Sequence, residues 1–426
     1  MVKMNFYTLL KGETGMETKS HKRLWGYAII GMLTTMVVLA FARLSYGVIL
    51  PFMRDGLQIS YKEAGYLGTT TSLGYLSTII FAGILASKWG SKRTVLLGIS
   101  LVTFGLAGLS FTFSYPVTFI FMLLLGVGTS FTYTPFISLL VAWFPRRKGF
   151  VIGLTTSGAG IGILLAGIIV PYLSSINDAT GWRIAWGIFA FIGLVVVILT
   201  LLFIKNPPVE NSDSPNRQQS STKEIYKNPK VINVGLIYGI IGITYIVQMI
   251  FVMSYMIESG IGVKFAGQLM SLNGILSIFS GPIWGFISDK IGRRTSLILT
   301  MGLTAVSMLL PIIFPTVIGF TIHIVILSCT STGLFTLTQA SSMDHVRPAD
   351  MPVAFSYVTS YFAVGQFIGP AIAGWLIEDW GGFKSAFLFC SICLLLGLGL
   401  TLKVKNSVQN QHAKTNIKTE LNEEVL

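Results

Sequence analysis

Charge is what this sequence has least of. Of its 426 residues only 11% are Asp, Glu, Lys or Arg, against about a quarter in a typical water-soluble domain. A chain of this size cannot cover a water-facing surface with so few charges. A soluble enzyme, a nucleic-acid-binding protein and a disordered scaffold are therefore excluded. Acidic residues are the scarcer kind: 17 stand against 30 Lys plus Arg, for a formal net charge of +13. In a charge-poor chain that excess reads as basic residues held on one side of a membrane, with no nucleic-acid partner expected. Cysteine is almost missing. Cys329, Cys390 and Cys393 lie in apolar segments, and an odd count without polar context provides no disulfide framework. The C-x-x-C formed by Cys390 and Cys393 sits within FLFCSICLLLGLGL, so both read as small packing residues, with no metal expected. There is no G-x-x-x-x-G-K-[ST] nucleotide loop, no H-E-x-x-H or G-x-S-x-G, and no carboxylate pair at bilayer depth. No enzyme activity, ATPase activity or cofactor is expected. A cleavable signal peptide is also lacking: the first 23 residues are polar and basic, and the apolar run after them is too long for an h-region.

What is present is apolar. Hydrophobic residues make up 52% of the chain, and the mean hydropathy is +0.72. About 20 apolar residues cross a bilayer core as a helix. Twelve such runs are legible, at 25–53, 64–86, 94–113, 117–143, 149–172, 182–204, 231–257, 265–288, 295–314, 316–342, 353–377 and 384–403. A closed β-barrel would need alternating polarity, and these runs are continuous. The predicted class is an all-α membrane protein. A polar stretch at 205–230, rich in Pro, Ser and Asn, divides the helices six and six and reads as a linker. The expected units are an N-terminal segment 1–24, a bundle 25–204, the linker, a second bundle 231–403 and a tail 404–426. With the N-terminus inside, 24 of the Lys and Arg residues fall on inside segments and 5 on outside loops. This split predicts that both termini and the linker are cytoplasmic. Trp25, Trp143, Trp284 and Trp375 fall at predicted helix ends, where their rings favour the interface.

The two halves echo each other. Gly158, Gly162 and Gly167 of the fifth run match Gly365, Gly369 and Gly374 of the eleventh at a constant offset of 207. The loops after the second and eighth runs match too: Gly83, Ser87, Lys88, Gly90, Ser91 and Lys92 correspond to Gly285, Asp289, Lys290, Gly292, Arg293 and Arg294 with their spacers. Glycines spaced by about one turn let helix backbones approach closely. A six-plus-six repeat lets two bundles rock about a site near the midplane.

G-x-x-x-D-[RK]-x-G-[RK]-[RK] is the signature of the major facilitator superfamily, and Gly285 to Arg294 fit every position. The first-half copy departs from it at Ser87 and Ser91. The resemblance covers roughly residues 20–405. Three stretches, FARLSYGVILPFM at 41–53, IFSGPIWGFISDKIGRR at 278–294 and GQFIGPAIAG at 365–374, resemble the YbfB/YjiJ-type bacterial branch, itself distantly similar to monocarboxylate transporters. The resemblance implies two six-helix bundles, a monomer in a bacterial plasma membrane, and secondary transport by alternating access. It supplies no defined solute. It also implies that Gly285, Asp289, Lys290, Gly292, Arg293 and Arg294 form a cytoplasmic latch between the halves. The fifth helix lacks the G-P-x-x-G-G of proton-coupled drug exporters, which lowers that alternative.

Arg43 is the most informative residue. It lies about four positions past the centre of the first run, and no Asp or Glu occurs inside the first six runs to pair with it. Arg at bilayer depth costs about 2.5–3.5 kcal/mol on insertion scales. An unpaired guanidinium on a central cavity suits a carboxylate or another oxyanion; a structural role, bonding helix carbonyls or a tyrosine, is the alternative. Tyr46, Tyr75, Tyr133, Gln248, Asn273, Tyr361 and Gln366 also fall near the predicted midplane. Each is a candidate for lining a small polar site or for bridging helices. His323, near the outer end of the tenth helix, is a candidate proton carrier or a satisfied interfacial histidine. The expected function is transport of a small organic anion of the monocarboxylate kind, with a coupling proton. The transport alternative is proton-coupled export of a hydrophobic compound. A transport-inactive sensor would need an output domain that 205–230 and 404–426 are too short to form.

Overall fold

The computed structural model describes residues 17–144, 148–177, 179–206, 222–344, 346 and 351–404. The N-terminal segment up to residue 16, the linker from 207 to 221 and the tail from 405 lie outside the described residues. All the described regular structure is helical, in agreement with the sequence. In lipid every backbone group must be satisfied within its own segment, and an unbroken helix does this. Among the described residues, twelve helices are long and apolar enough to span a bilayer.

The first half contains α1 (Glu17–Thr35), a π-helical segment (Met36–Leu44), α2 (Tyr46–Leu57), α3 (Tyr61–Trp89), α4 (Ser91–Ser110), α5 (Tyr115–Trp143), α6 (Lys148–Ile176) and α7 (Gly181–Phe203). A short α8 (Thr222–Lys227) precedes the second half: α9 (Pro229–Glu258), α10 (Val263–Ile291), α11 (Arg293–Ile313), α12 (Val317–Met343), α13 (Met351–Asp379) and α14 (Phe383–Thr401). Local sequence sets the helix starts. Ser60 and Glu63 form a reciprocal capping box at α3, and Asn228 with Pro229 opens α9. Gly90 and Gly292, the matched glycines of the two loop motifs, both stand at φ near +90°. This backbone favours glycine and turns α3 into α4 and α10 into α11 with a single intervening residue.

The offset-matched glycines explain how the halves are built. A Cβ on Gly158 or Gly162 would strike Met32 or Ala40 in the first span; one on Gly365 or Gly369 would strike Gly239 or Ile243 in α9. These four glycines hold α6 and α13 against the first helix of their own half. The third member of each set faces the other half instead: Gly167 lies against Gly267 of α10, and Gly374 against Tyr61 and Gly65 of α3. The halves therefore meet along α6–α10, α3–α13 and α2–α9. Large apolar side chains such as Phe191, Phe286 and Ile318 stand more than 60% exposed, which a lipid surround accommodates.

Two sequence expectations are corrected. The first run is not one regular helix: it changes register over Met36–Leu44. Trp284 does not end its helix. It lies inside α10 and donates its indole N–H to the Cys329 carbonyl at 2.7 Å, since α10 runs on to Ile291.

Candidate functional site

The π segment positions Arg43. Ser45 donates its N–H to the Ala40 carbonyl, five residues back, at 2.7 Å, and its hydroxyl donates to Phe41 O at 2.6 Å. One extra residue in a turn rotates the following side chains, and such bulges recur at functional sites. Arg43 Nη2 donates to Gln366 Oε1 at 3.1 Å and to Ser72 Oγ at 3.3 Å. Its guanidinium carbon stands 5.1 Å from the centre of the Tyr75 ring. Tyr245 interacts with it electrostatically. Among the described residues, no carboxylate pairs with Arg43. The guanidinium, Tyr46, Gly68, Thr71, Ser72, Ile246 and Ile250 line a cleft of about 10 Å³, room for about one water.

The sequence candidates divide into three groups. Arg43, Tyr46, Tyr75 and Gln366 come together, drawn from the first span, α3 and α13. Tyr46 is fixed in place by its hydroxyl, which donates to the Ala64 carbonyl at 2.8 Å. Tyr133 stands a layer behind, in the neighbourhood of Tyr75 and Tyr238. The remaining three lie elsewhere. Gln248 is fully enclosed and both of its amide atoms lack partners among the described residues. It is two positions from Ile246 and from Ile250, which line the cleft, and two residues turn a helix by roughly 200°. Asn273 bridges helices, accepting from Ser328 Oγ at 2.8 Å and Ser277 Oγ at 3.2 Å. Tyr361 shares a 2.8 Å hydroxyl–hydroxyl bond with Tyr357 and packs against Gly235. His323 lies near the start of α12. It is wholly buried inside the second half, where Nδ1 donates to the Ser307 carbonyl at 2.7 Å and the ring meets Phe387 edge-on.

Several contributors escaped the sequence reading. Ser72 bonds Arg43, and Tyr238 and Tyr245 line one face of α9 at a spacing of seven. Gln339 Nε2 donates to the Tyr238 hydroxyl at 2.8 Å. The seven-residue spacing was the available signal.

Most of the bonds that join the halves gather at one end, that of the 58–60 loop between α2 and α3. Arg54 Nη1 meets Glu258 Oε1 at 3.0 Å, and the Tyr61 hydroxyl donates to the same oxygen at 2.7 Å. Tyr61 N–H donates to Glu378 Oε2 at 3.0 Å, and Lys62 pairs with Asp379 at 3.5 Å. Deeper in, Thr69 Oγ1 donates to Phe367 O at 3.0 Å. At the opposite end a Cβ on Gly83, Gly153 or Gly285 would meet nothing within 4 Å. There Arg293 pairs with Asp344 of its own half at 2.8 Å rather than with Asp289, which is exposed and without an ionic partner among the described residues. Ser87 spends its hydroxyl on Ile84 O of its own helix.

The comparisons with known proteins agree with this architecture. The chain is 23% identical to the oxalate:formate antiporter of Oxalobacter formigenes, over 91% of its own length and 93% of that protein's. It is 26% identical to monocarboxylate transporter 12 of Xenopus laevis, over 80% and 81%. In fold it matches a bacterial homolog of the human lysosomal transporter Spinster, solved in an inward-facing and occupied conformation, with a TM-score of 0.77 at 15% identity, covering 92% of this chain and 97% of that one. The family model described as "Uncharacterised MFS-type transporter YbfB" matches residues 35–402. With twelve apolar helices in two matched halves, this chain belongs to that YbfB-type family of transporters within the major facilitator superfamily.

Proposed function

We propose that this membrane transporter carries a small organic monoanion of the monocarboxylate kind by alternating access, together with a proton. The observation that supports this most is Arg43: a cation at bilayer depth, between the halves, whose hydrogen-bond acceptors among the described residues are neutral oxygens. A carboxylate satisfies two guanidinium donors at once and brings the charge that the site lacks. Formate and monocarboxylates in the names of the relatives point the same way, and oxalate shares the carboxylate though not the single charge. With both termini cytoplasmic, the end held by Arg54, Glu258 and Tyr61 faces outward, and this conformation is inward-facing. The test is thermal unfolding of the purified protein with small carboxylates, inorganic anions, neutral solutes and lipophilic cations. A ligand that binds the folded form raises the midpoint. Carboxylate stabilisation is expected. The aromatic wall of Tyr238 stacked on Phe362 and Tyr245 against Phe335 favours a second reading, export of a hydrophobic compound. Stabilisation by lipophilic cations alone would put that reading first.

The site offers no carboxyl group of its own to carry a proton, so the proton enters with the anion. His323 is enclosed on every side and does not touch the cleft. Replacing it with Asn, whose amide N–H can still reach Ser307 O, is expected to leave uptake driven by a pH gradient intact. Loss of the gradient response with folding preserved would make His323 the carrier instead.

The Asp289 motif acts as a latch in the opposite conformation. Here Asp289 has no ionic partner among the described residues, so Asp289→Asn is expected to leave this state untouched and weaken the one in which the cytoplasmic end is closed. The population is expected to move toward inward-facing. Cysteine-labelling rates at both ends that match wild type would contradict this.

A further inference from the structure

Gln366 does more than line the cleft. Its carboxamide belongs to α13 of the second half, and Arg43 belongs to the first. The 3.1 Å bond between them is a polar link between the halves at the depth of the site, and Ser271 Oγ of α10 donates across to the Leu164 carbonyl of α6 at 3.1 Å. Gln366 is 6% exposed, so its amide is committed to this contact rather than to water. Both hydrogen bonds from Arg43 leave from Nη2, and among the described residues Nη1 and Nε bond to nothing. Guanidinium has five donors in a planar fork, and here that fork is half used. The acceptor is an sp² oxygen of the same shape as one arm of a carboxylate, but it carries no charge. A neutral acceptor keeps the donor oriented without cancelling its field. It yields to an ionised acceptor, whose hydrogen bonds to a cation are roughly twice as strong.

We propose that the Gln366 carboxamide is a resident stand-in for the substrate carboxylate on Arg43, displaced when the anion binds. This rests on the reading of Arg43 as the anion site and adds a consequence to it. In the empty protein the bond from Arg43 to Gln366 ties the halves together at mid-depth. The arriving anion takes over the Nη donors and releases that tie, so occupancy of the site changes the connection between the halves. Gln366 thereby tunes affinity as a competitor: a better internal acceptor would shut the site, and a missing one would open it. The neutrality of residue 366 also restricts the ligand class. With one cation and no second basic group in the cleft, a monoanion is matched, and a dianion would leave one charge uncompensated.

The test uses the full-length protein in detergent, with acetate, lactate and benzoate as probes and the thermal midpoint as the readout. Four proteins are compared: wild type, Arg43→Gln, Gln366→Glu and Gln366→Leu. Gln366→Glu supplies a permanent internal carboxylate. Its ligand-free midpoint is expected to rise, and the half-saturating concentration of every carboxylate should increase by about 100-fold or more. Gln366→Leu removes the competitor. Its ligand-free midpoint should fall while carboxylates bind about 3- to 10-fold more tightly. A residue that merely shaped the cleft would weaken binding in both variants, so tightening in the Leu variant is the diagnostic result. If Gln366→Glu does not fold, Gln366→Asn takes its place: an amide one methylene shorter cannot reach Nη2 and should tighten binding as Leu does. The outcomes separate the two claims. A wild type that responds to carboxylates and an Arg43→Gln that does not uphold the anion site. On that background, a Gln366→Glu that responds like wild type, or weakened binding in Gln366→Leu, overturns the stand-in. Equal responses in wild type and Arg43→Gln overturn the anion site and the stand-in together.

Discussion

Glutamine in place of Arg43 is expected to abolish carboxylate binding and transport while leaving the fold intact or slightly firmer. A carboxylate seated on the guanidinium gains two charge-assisted hydrogen bonds, each about 1.5–3 kcal/mol. Losing both costs about 3–6 kcal/mol, or roughly a hundred- to ten-thousand-fold in affinity. The fold loses little. Arg43 contributes one bond to Ser72 and one to Gln366, both to neutral oxygens, and a glutamine at this depth avoids the roughly 2.5–3.5 kcal/mol that a charged Arg costs on insertion scales. Arg43→Lys separates charge from geometry. It retains the cation but not the planar fork, and about a tenfold weakening is expected, the equivalent of one hydrogen bond. Uptake of labelled lactate into proteoliposomes, with the thermal midpoint measured in parallel, checks both halves of the claim. Unchanged uptake in the glutamine variant would make Arg43 a structural residue.

Much of this was legible in the sequence because the membrane imposes simple rules. A bilayer demands about 20 apolar residues per crossing, so the twelve spans and the six-plus-six division could be read as runs. The glycine offset of 207 survives because a Cβ at those positions meets backbone that cannot move aside. Arg43 stood out because a charge in such a run is costly. Other features lacked any such signal. The π segment spells MVVLAFARL, with no Gly or Pro to announce a change of register, and only the Ser45–Ala40 bond reveals it. The ties at the 58–60 end join residues 197 to 317 positions apart, and no local pattern pairs Arg54 with Glu258. Gln248 and Asn273 shared the depth of the site but not its direction, since a hydropathy run fixes depth and leaves rotation about the helix axis open. His323 falls near the start of α12, as the run places it, but its enclosure depends on how α11 and α14 pack around it. Tyr238 and Tyr245 went unremarked because tyrosine is common in such runs, and only the docked halves bring Tyr245 near Arg43.

Leucine at Gly274 is expected to jam the closed end open. A bare Cβ there would stand 2.5 Å from the Gly160 carbonyl and 2.7 Å from the Leu164 nitrogen. Both are backbone atoms of the other half, so no side chain can swing away, and the relief must come from parting α10 from α6. Overpacking of this kind costs about 1–3 kcal/mol. Set against a conformational equilibrium, that shifts the ratio of states about 5- to 150-fold toward the one in which this end is open. Gly153→Leu is the control, since a Cβ there meets nothing within 4 Å. With the exposed Cys329 replaced by Ser, Thr69→Cys reports the state. Its side chain sits at the junction with Phe367 and should react with an impermeant maleimide from outside much faster in the Gly274 variant than in the Gly153 one. Net uptake should fall in step, because a transporter that cannot close one end cannot complete its cycle. Equal labelling in the two variants would mean that the α6–α10 seam does not open during the cycle, and the halves would then have to part along α3–α13 alone, pivoting on the glycines that face each other across α6 and α10.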